Sequence, residues 1–279
     1  MISVKNITYS YSGQKRPVLS NFSVNIDQGR IYGLLGKNGT GKSTLLYLMS
    51  GLLRPKQGTV TFMQGGETIV ATQDRKAEVL ADIFLVPEEF DLPPMALNSY
   101  LKLVEPFYPR FSHEIMKKSL EAFELTDDLQ LGQLSMGQKK KVYMSVALAA
   151  NTRLLLMDEP TNGLDIPSKS QFRKAVAESM TDDSRTILIS THQVHDVEQL
   201  LDHILIISEE GMLLNTSVAD LTDHYVFEVR PPQQNDSTAI YAEPSLQGNI
   251  TMARREPGQP ETTINLEILF NAVTKGLVK

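Results

Sequence analysis

The chain alternates between short blocks rich in Ile, Leu and Val and longer stretches where apolar residues recur every third or fourth position. The blocks at residues 2–8, 22–26, 30–35, 59–63, 154–157, 186–190 and 204–208 have the length of strands. Several of them, such as Leu154-Leu155-Leu156-Met157 and Ile204-Leu205-Ile206-Ile207, lack the polar alternation of a half-exposed strand, which marks strands covered on both faces. Between the blocks the period changes. Leu45, Leu46, Leu48 and Met49 share one helical face, and Gly51 follows where a helix would close. Phe172, Val176 and Met180 fall at i, i+4 and i+8, and Val194, Val197, Leu200 and Leu201 predict a further amphipathic helix. Strands that alternate with helices predict an α/β fold with a mostly parallel sheet between helical layers. This pattern holds to about residue 217.

Two segments depart from it. Residues 87–134 carry Pro87, Pro93, Pro94, Pro106 and Pro109 and then a helical face of Met116, Leu120 and Phe123, which reads as a small helical insertion. From residue 218 to 279, the stretches Pro231-Pro232-Gln233-Gln234-Asn235-Asp236-Ser237 and Glu256-Pro257-Gly258-Gln259-Pro260 read as loops. Short apolar runs at 225–229, 239–242 and 249–253 and a helical ending at 266–273 make this tail a small α+β extension or an extended arm.

Composition narrows the classes. The 279 residues hold 27 Lys plus Arg against 33 Asp plus Glu, a net charge of −6, which is unlike a protein that coats nucleic acid with a basic face. Cysteine is absent, so disulfides and thiolate metal sites are excluded. No run approaches the ~18 apolar residues of a membrane span, and residues 1–6 lack the features of a secretory signal. A soluble, cytoplasmic protein is expected.

Candidate chemistry begins at Gly36-Lys37-Asn38-Gly39-Thr40-Gly41-Lys42-Ser43, a full match to G-x-x-x-x-G-K-[ST] between a strand and a helix. Glycines let backbone N–H groups converge on phosphate oxygens, and the helix N-terminus adds its positive end. Lys42 is then the group that reaches the β- and γ-phosphates, and the Ser43 hydroxyl is a Mg²⁺ ligand. A second signal is the apolar strand that ends in Asp158-Glu159. Asp158 is placed to hold Mg²⁺ at the sheet edge, and Glu159 to polarise a water for in-line attack on the γ-phosphate.

Between these two motifs stands Leu134-Ser135-Met136-Gly137-Gln138. With the phosphate loop and Asp158-Glu159-Pro160, it resembles the signature LSGGQ of the ATP-binding cassette (ABC) family, and the resemblance runs in order over about residues 1–215. It implies a P-loop ATPase domain over residues 1–217, with an antiparallel β part near the N-terminus. It also implies that Gly36 through Ser43 and Thr44 bind ATP and that Tyr11 stacks on adenine, with Tyr9 the competing aromatic. Ser135, Gly137 and Gln138 would close over the γ-phosphate bound by a second subunit. Asp165, in Asn162-Gly163-Leu164-Asp165, falls in the D-loop, and His192, 33 positions after Glu159, is the switch histidine. A metal site of His192 with His195 or His203 is set aside in favour of the amphipathic helix predicted there.

Two positions depart from the family pattern. Glu88 follows Val86-Pro87 where the family carries Gln; its carboxylate would reach Mg²⁺ or the waters around it. Met136 replaces the first signature glycine. The resemblance implies an ATPase subunit that binds ATP and Mg²⁺, pairs with a second copy and drives a separate integral membrane permease from the inner face of the membrane. The Pro-Glu pair, the short insertion and the ending at 266–270 resemble ABC-2-type exporter subunits. The insertion would dock the permease through Phe90, Leu92, Met95, Tyr100, Phe107 and Tyr108, the bland reading of each being a local core. The rival class is a soluble ABC-type ATPase that acts on nucleic acid or ribosomes; no long heptad insertion, no zinc cysteines and a single acidic cassette speak against it. An unrelated P-loop kinase explains neither the signature nor His192. The run Lys139-Lys140-Lys141 is expected to be the exposed start of a helix.

Overall fold

A computed structural model describes residues 2–64, 68–180, 184–231 and 238–278; residues 232–237 of the predicted loop lie outside them. The elements run in the order β1 (Ile2–Tyr9), β2 (Leu19–Ile26), β3 (Ile31–Leu35), α1 (Lys42–Met49), β4 (Gln57–Gln64), β5 (Thr68–Ala71), α2 (Ala77–Leu80) and β6 (Ile83–Val86). Next come α3 (Leu97–Val104), α4 (His113–Ala122), α5 (Met136–Ala149), β7 (Leu154–Asp158), α6 (Ile166–Ser179), β8 (Thr186–Thr191), β9 (His203–Ser208) and β10 (Gly211–Ser217). The chain closes with α7 (Val218–His224), β11 (Tyr225–Arg230), β12 (Ala239–Ser245), β13 (Gly248–Arg254) and α8 (Leu266–Thr274).

The central sheet has the order β10-β9-β3-β8-β7-β6. Its four pairings from β9 to β6 are parallel, and β10 is an antiparallel edge. The apolar blocks are buried on both faces, as their composition predicts: Leu154 and Leu156 enter one core, Leu155 and Met157 the other, following the two-residue period of a strand. The first core lies against the antiparallel sheet β2-β1-β4-β5 and α1. The second spans the helical insertion, α5, α6 and the C-terminal elements. The tail is an α+β unit, a three-stranded antiparallel sheet of order β11-β13-β12 with α8 packed on it, as Tyr241, Met252, Leu269 and Val273 share one core.

Helix starts follow local chemistry. Ser112, Ser135, Asp165, Ser217 and Asn265 each accept a backbone N–H of the helix they precede, which satisfies one of the orphan donors of a first turn. At α1 the preceding residue is Gly41 at φ 96°, and no side chain occupies the first-turn N–H groups.

One prediction is overturned here. Val194, Val197, Leu200 and Leu201 do not lie on an α-helix: Val194 and Leu200 lie on two 3₁₀ turns, Val194–Asp196 and Glu198–Leu200, with Val197 between them and Leu201 just after. Val194, Val197 and Leu200 repeat every three residues, the 3₁₀ period. Val197, at φ −122° and ψ −10°, separates the turns, while its side chain is buried as the pattern implied.

Candidate functional site

β3 lies between β9 and β8, and β8 beside β7, so the loops that leave the C-terminal ends of neighbouring parallel strands converge at one edge. Ligands of open α/β sheets bind at such an edge. The loop after β3 is held by its own contacts: the Thr40 amide and hydroxyl both donate to the Lys37 carbonyl, at 3.3 and 2.8 Å. A Cβ on Gly36 would stand 2.8 Å from the Ile207 carbonyl, so only glycine lets the loop pass that close to β9. Lys42 is buried and donates to the carbonyls of Gly36 and Lys37 at 2.8 and 3.3 Å. Burial holds its ammonium below the usual lysine range, opposed by the carboxylates of Glu159, Asp158 and Glu88.

Across the loop, Glu159 is 6 % exposed. Its Oε1 lies 2.9 Å from His192 Nδ1 and 3.9 Å from Lys42 Nζ, and its Oε2 accepts the His192 backbone N–H at 3.3 Å. A buried carboxylate thus faces the phosphate loop between two basic side chains. Its neighbour Asp158 is oriented by hydrogen bonds from Ser190 Oγ, at 2.5 Å, and from Ser43. Burial pushes the Asp158 carboxyl above its usual range, and the two hydroxyls pull against that shift.

No group of three or more His, Asp or Glu among the described residues is arranged to hold a metal. Mg²⁺ needs no such cage in a phosphate site, because water and phosphate supply most of its ligands. The Ser43 hydroxyl bonded to the Asp158 carboxylate is a hard oxygen pair of the kind that suits it.

These groups open onto a cavity of about 610 Å³ lined by Tyr11, Gln14, Val18, Asn38, Gly39, Gly41, Lys42, Ser43, Thr44, Glu88, Glu159, Asn162 and His192, within the size of small-molecule sites. Tyr11 reaches Thr44, hydroxyl to hydroxyl, at 3.0 Å, whereas Tyr9 stands edge-on behind it at 5.1 Å and is not on the wall. Glu88 is on the wall, and its Oε1 accepts from Asn162 Nδ2 at 2.9 Å.

The signature residues lie apart from that cavity. Ser135 and Gln138 form a reciprocal capping box at the start of α5. Met136 is 67 % exposed, and a Cβ on Gly137 would meet open space. Asp165 caps α6 through the Ser168 amide at 3.0 Å and is also off the cavity wall. Of the residues expected to dock a partner, only Phe107 is strongly exposed, at 71 %. Leu92 is core, Phe90 stacks on Tyr143 at 4.4 Å, and Tyr108 packs on Phe84, so the local-core reading holds for these three.

The lysine run is also corrected. Lys140 is buried, donating to the carbonyls of Glu159 and Asn162 at 2.9 and 2.8 Å. The start of α5 is exposed on one face only, so the middle lysine of three consecutive residues turns inward. Gln14 and Val18 were not legible as wall residues, because the loop between β1 and β2 carries no motif.

Comparison with known proteins agrees with this geometry. Residues 19–162 match the family model described as ABC transporter. The high-affinity zinc uptake system ATP-binding protein ZnuC of Bacillus subtilis (strain 168) is 31% identical over 218 residues, covering 74% of this chain and 90% of the relative. The lantibiotic transport ATP-binding protein SrtF of Streptococcus pyogenes is 33% identical over 220 residues, covering 77% and 90%. Among solved structures, the ATP-binding subunit of an ABC transporter superposes with a TM-score of 0.68 at 24% identity, covering 79% of this chain and 91% of that one. A dimeric bacterial ABC transporter cassette superposes at 0.64 and 25% identity, covering 78% and 99%. The chain belongs to the ABC transporter family, as an ATP-binding subunit of the ATP-hydrolysing cassette class.

Proposed function

We propose that this subunit powers an exporter, hydrolysing ATP in a pair of identical copies bound to a separate membrane permease at the cytoplasmic face. The observation that carries the catalytic part is the buried Glu159 carboxylate, fixed by His192 and facing Lys42 across the phosphate loop. In this reading the loop amides of Gly36 through Thr44 and the Lys42 ammonium bind the phosphates, and Tyr11 carries the adenine. Ser43 and Asp158 would hold Mg²⁺, which supplies Lewis-acid charge at the phosphate oxygens, and Glu88 is within the same wall. Glu159 accepts the proton of the attacking water as its oxygen bonds to the γ-phosphorus and the bond to the bridging oxygen breaks. His192 keeps that carboxylate aimed and stands ready to contact the γ-phosphate. Ser135, Gly137 and Gln138, which line nothing in their own chain's cavity, are assigned to the nucleotide of the second copy. Asp165 is assigned to the same interface.

No helix among the described residues is long and apolar enough to cross a membrane, so transport requires a spanning partner. Export is favoured by the resemblance of the Pro87-Glu88 pair, the short insertion and the ending at 266–270 to ABC-2-type exporter subunits; SrtF, a relative, is named for lantibiotic transport. The test is purification of the full chain from detergent-solubilised membranes of its host, with bound proteins identified by mass spectrometry. A stoichiometric multi-span partner is expected, and transport assays on that complex in vesicles read the direction. Recovery with ribosomes or DNA and no membrane partner would overturn the transport reading.

A further inference from the structure

The three lysines after the signature separate in space. Lys139 reaches Asp91 at 3.1 Å and Lys141 reaches Gln171 at 2.9 Å. Lys140 points the other way, 8 % exposed, with its Nζ on the backbone carbonyls of Glu159 and Asn162. Those carbonyls bracket a tight turn in which the Asn162 N–H donates back to the Glu159 carbonyl at 3.2 Å. Glu159 occupies φ 45° in that turn, a left-handed backbone that an L-residue with a Cβ adopts only when its surroundings hold it there. An ammonium that donates to both carbonyls is such a hold, and a charge-assisted one.

Burying a lysine among carbonyls is unfavourable unless other charge balances it. Burial holds the Lys140 ammonium below its ordinary pKa, and the carboxylates of Glu88, Glu159 and Asp158 oppose that shift, Glu88 most strongly of the three. Glu88 is also tied to the turn, through its 2.9 Å bond from the Asn162 side chain. One residue, Asn162, is thus gripped from both sides, by a carboxylate at its amide and by an ammonium at its carbonyl.

We propose that Lys140 is a positioning residue for ATP hydrolysis. Its ammonium clamps the left-handed turn that aims the Glu159 carboxylate, and its charge offsets the one that Glu88 introduces beside the same turn. The inference rests on Glu159 as the base. Lys140 is not on the cavity wall; it acts through the backbone of Glu159 and Asn162.

The test uses the full chain with Lys140→Met, Lys140→Gln, Glu88→Gln, the double Lys140→Gln/Glu88→Gln and, as reference, Glu159→Gln. Steady-state ATPase, ADP affinity and the thermal midpoint are measured for each. Lys140→Met is expected to lower kcat on the order of 10- to 100-fold, the usual cost of a lost orienting partner, with KM for ATP and ADP affinity within about threefold. Lys140→Gln keeps a donor without the charge, and pairing it with Glu88→Gln is expected to recover most of the rate that Lys140→Gln loses. Wild-type kcat in Lys140→Met, or a loss confined to KM, would overturn the clamp. A double variant no faster than Lys140→Gln would overturn the charge balance. If Lys140→Met does not fold, Lys140→Gln carries the decision by the same criteria. Wild-type turnover in Glu159→Gln would overturn the base assignment itself. Slow turnover there with normal Lys140 variants removes this inference alone.

Discussion

A left-handed backbone costs an L-residue about 1–2 kcal/mol, and Glu159 carries one at φ 45° in the most polar part of the molecule. The turn survives because every arm of the residue is held. Its N–H donates to the Ser190 carbonyl at 3.0 Å, its carbonyl accepts from Lys140, and its carboxylate meets His192. Glu159→Gln preserves the shape of that side chain but cannot accept a proton. It is expected to keep ATP affinity while kcat falls by roughly 10²- to 10⁴-fold, read by single-turnover hydrolysis beside a nucleotide titration. Lys42→Ala is expected to act on binding instead, weakening ATP by at least about tenfold, or 1.4 kcal/mol, in a titration with a fluorescent ATP analogue. Tyr11→Ala removes a stacking face, and the same titration is expected to show a loss of about 1–3 kcal/mol. Tyr11 was singled out only by the family resemblance, while Lys42 and Glu159 were legible because each sits in a short contiguous motif, where loop geometry ties chemistry to spacing. Lys140 was not, since its partners are 19 and 22 positions away and three consecutive lysines look alike until the helix turns one of them inward. Glu88 was legible only as a departure; its grip on Asn162 exists only in three dimensions.

At the scale of elements, the central strands were the clearest part of the chain. Parallel strands buried on both faces are apolar along most of their length, as β3 and the runs Leu154–Met157, Ile187–Ile189 and Ile204–Ile207 are. The edge strands β5 and β10 escaped because an edge does not require that continuity; β10 is bulged between Met212 and Leu214 and mostly half-exposed. The 3₁₀ turns after β8 escaped because a buried Val-x-x-Val-x-x-Leu repeat fits three residues per turn as well as 3.6. Those turns tie α8 to the loop that follows β8. Glu198 Oε1 accepts the Leu266 N–H at 2.6 Å, and His195 Nε2 lies 2.8 Å from Glu267, while Phe270 shares a wall with Thr191, His192 and Val194. The Glu267 hydrogen bond raises the His195 pKa, with Glu198 adding to it and partial burial opposing it. A histidine raised on folding stabilises fully below its unfolded value of about 6.5, and the gain is lost as pH rises through the folded value. The pair is largely exposed, so the gain is of surface size, about 0.5 kcal/mol. With rates corrected for the intrinsic pH dependence of amide exchange, α8 is therefore expected to be better protected at pH 6 than at pH 8.5, and His195→Gln is expected to erase that difference while leaving the rest of the map unchanged. An α8 whose protection is equally pH-dependent in His195→Gln would show that another group holds it.

For the molecule as a whole, the arrangement of its polar chemistry is asymmetric: the polar cavity lies on the side of the phosphate loop, while the signature stands elsewhere. Within one chain Gly137 has no reason to be glycine. It lies in the first turn of α5, its backbone is not left-handed, and a Cβ there would meet no atom within 4 Å. Any larger residue would improve the helix, since glycine costs up to about 1 kcal/mol there relative to alanine. The requirement for a bare backbone then has to come from outside the chain, from a surface that approaches α5 closely, and the proposed pairing supplies one in the phosphate loop and nucleotide of a second copy. This separates stability from assembly. In a Glu159→Gln background, where ATP is held without turnover, light scattering after size exclusion is expected to show twice the single-chain mass with ATP and the single-chain mass with ADP. Gly137→Leu added to that background is expected to leave the thermal midpoint unchanged or slightly raised and ADP affinity intact, while the ATP-dependent doubling disappears. If Gly137→Leu still doubles with ATP, the face of α5 that carries the signature is not what meets the second copy. If it unfolds the single chain, the glycine has a role within the fold that its open surroundings do not reveal.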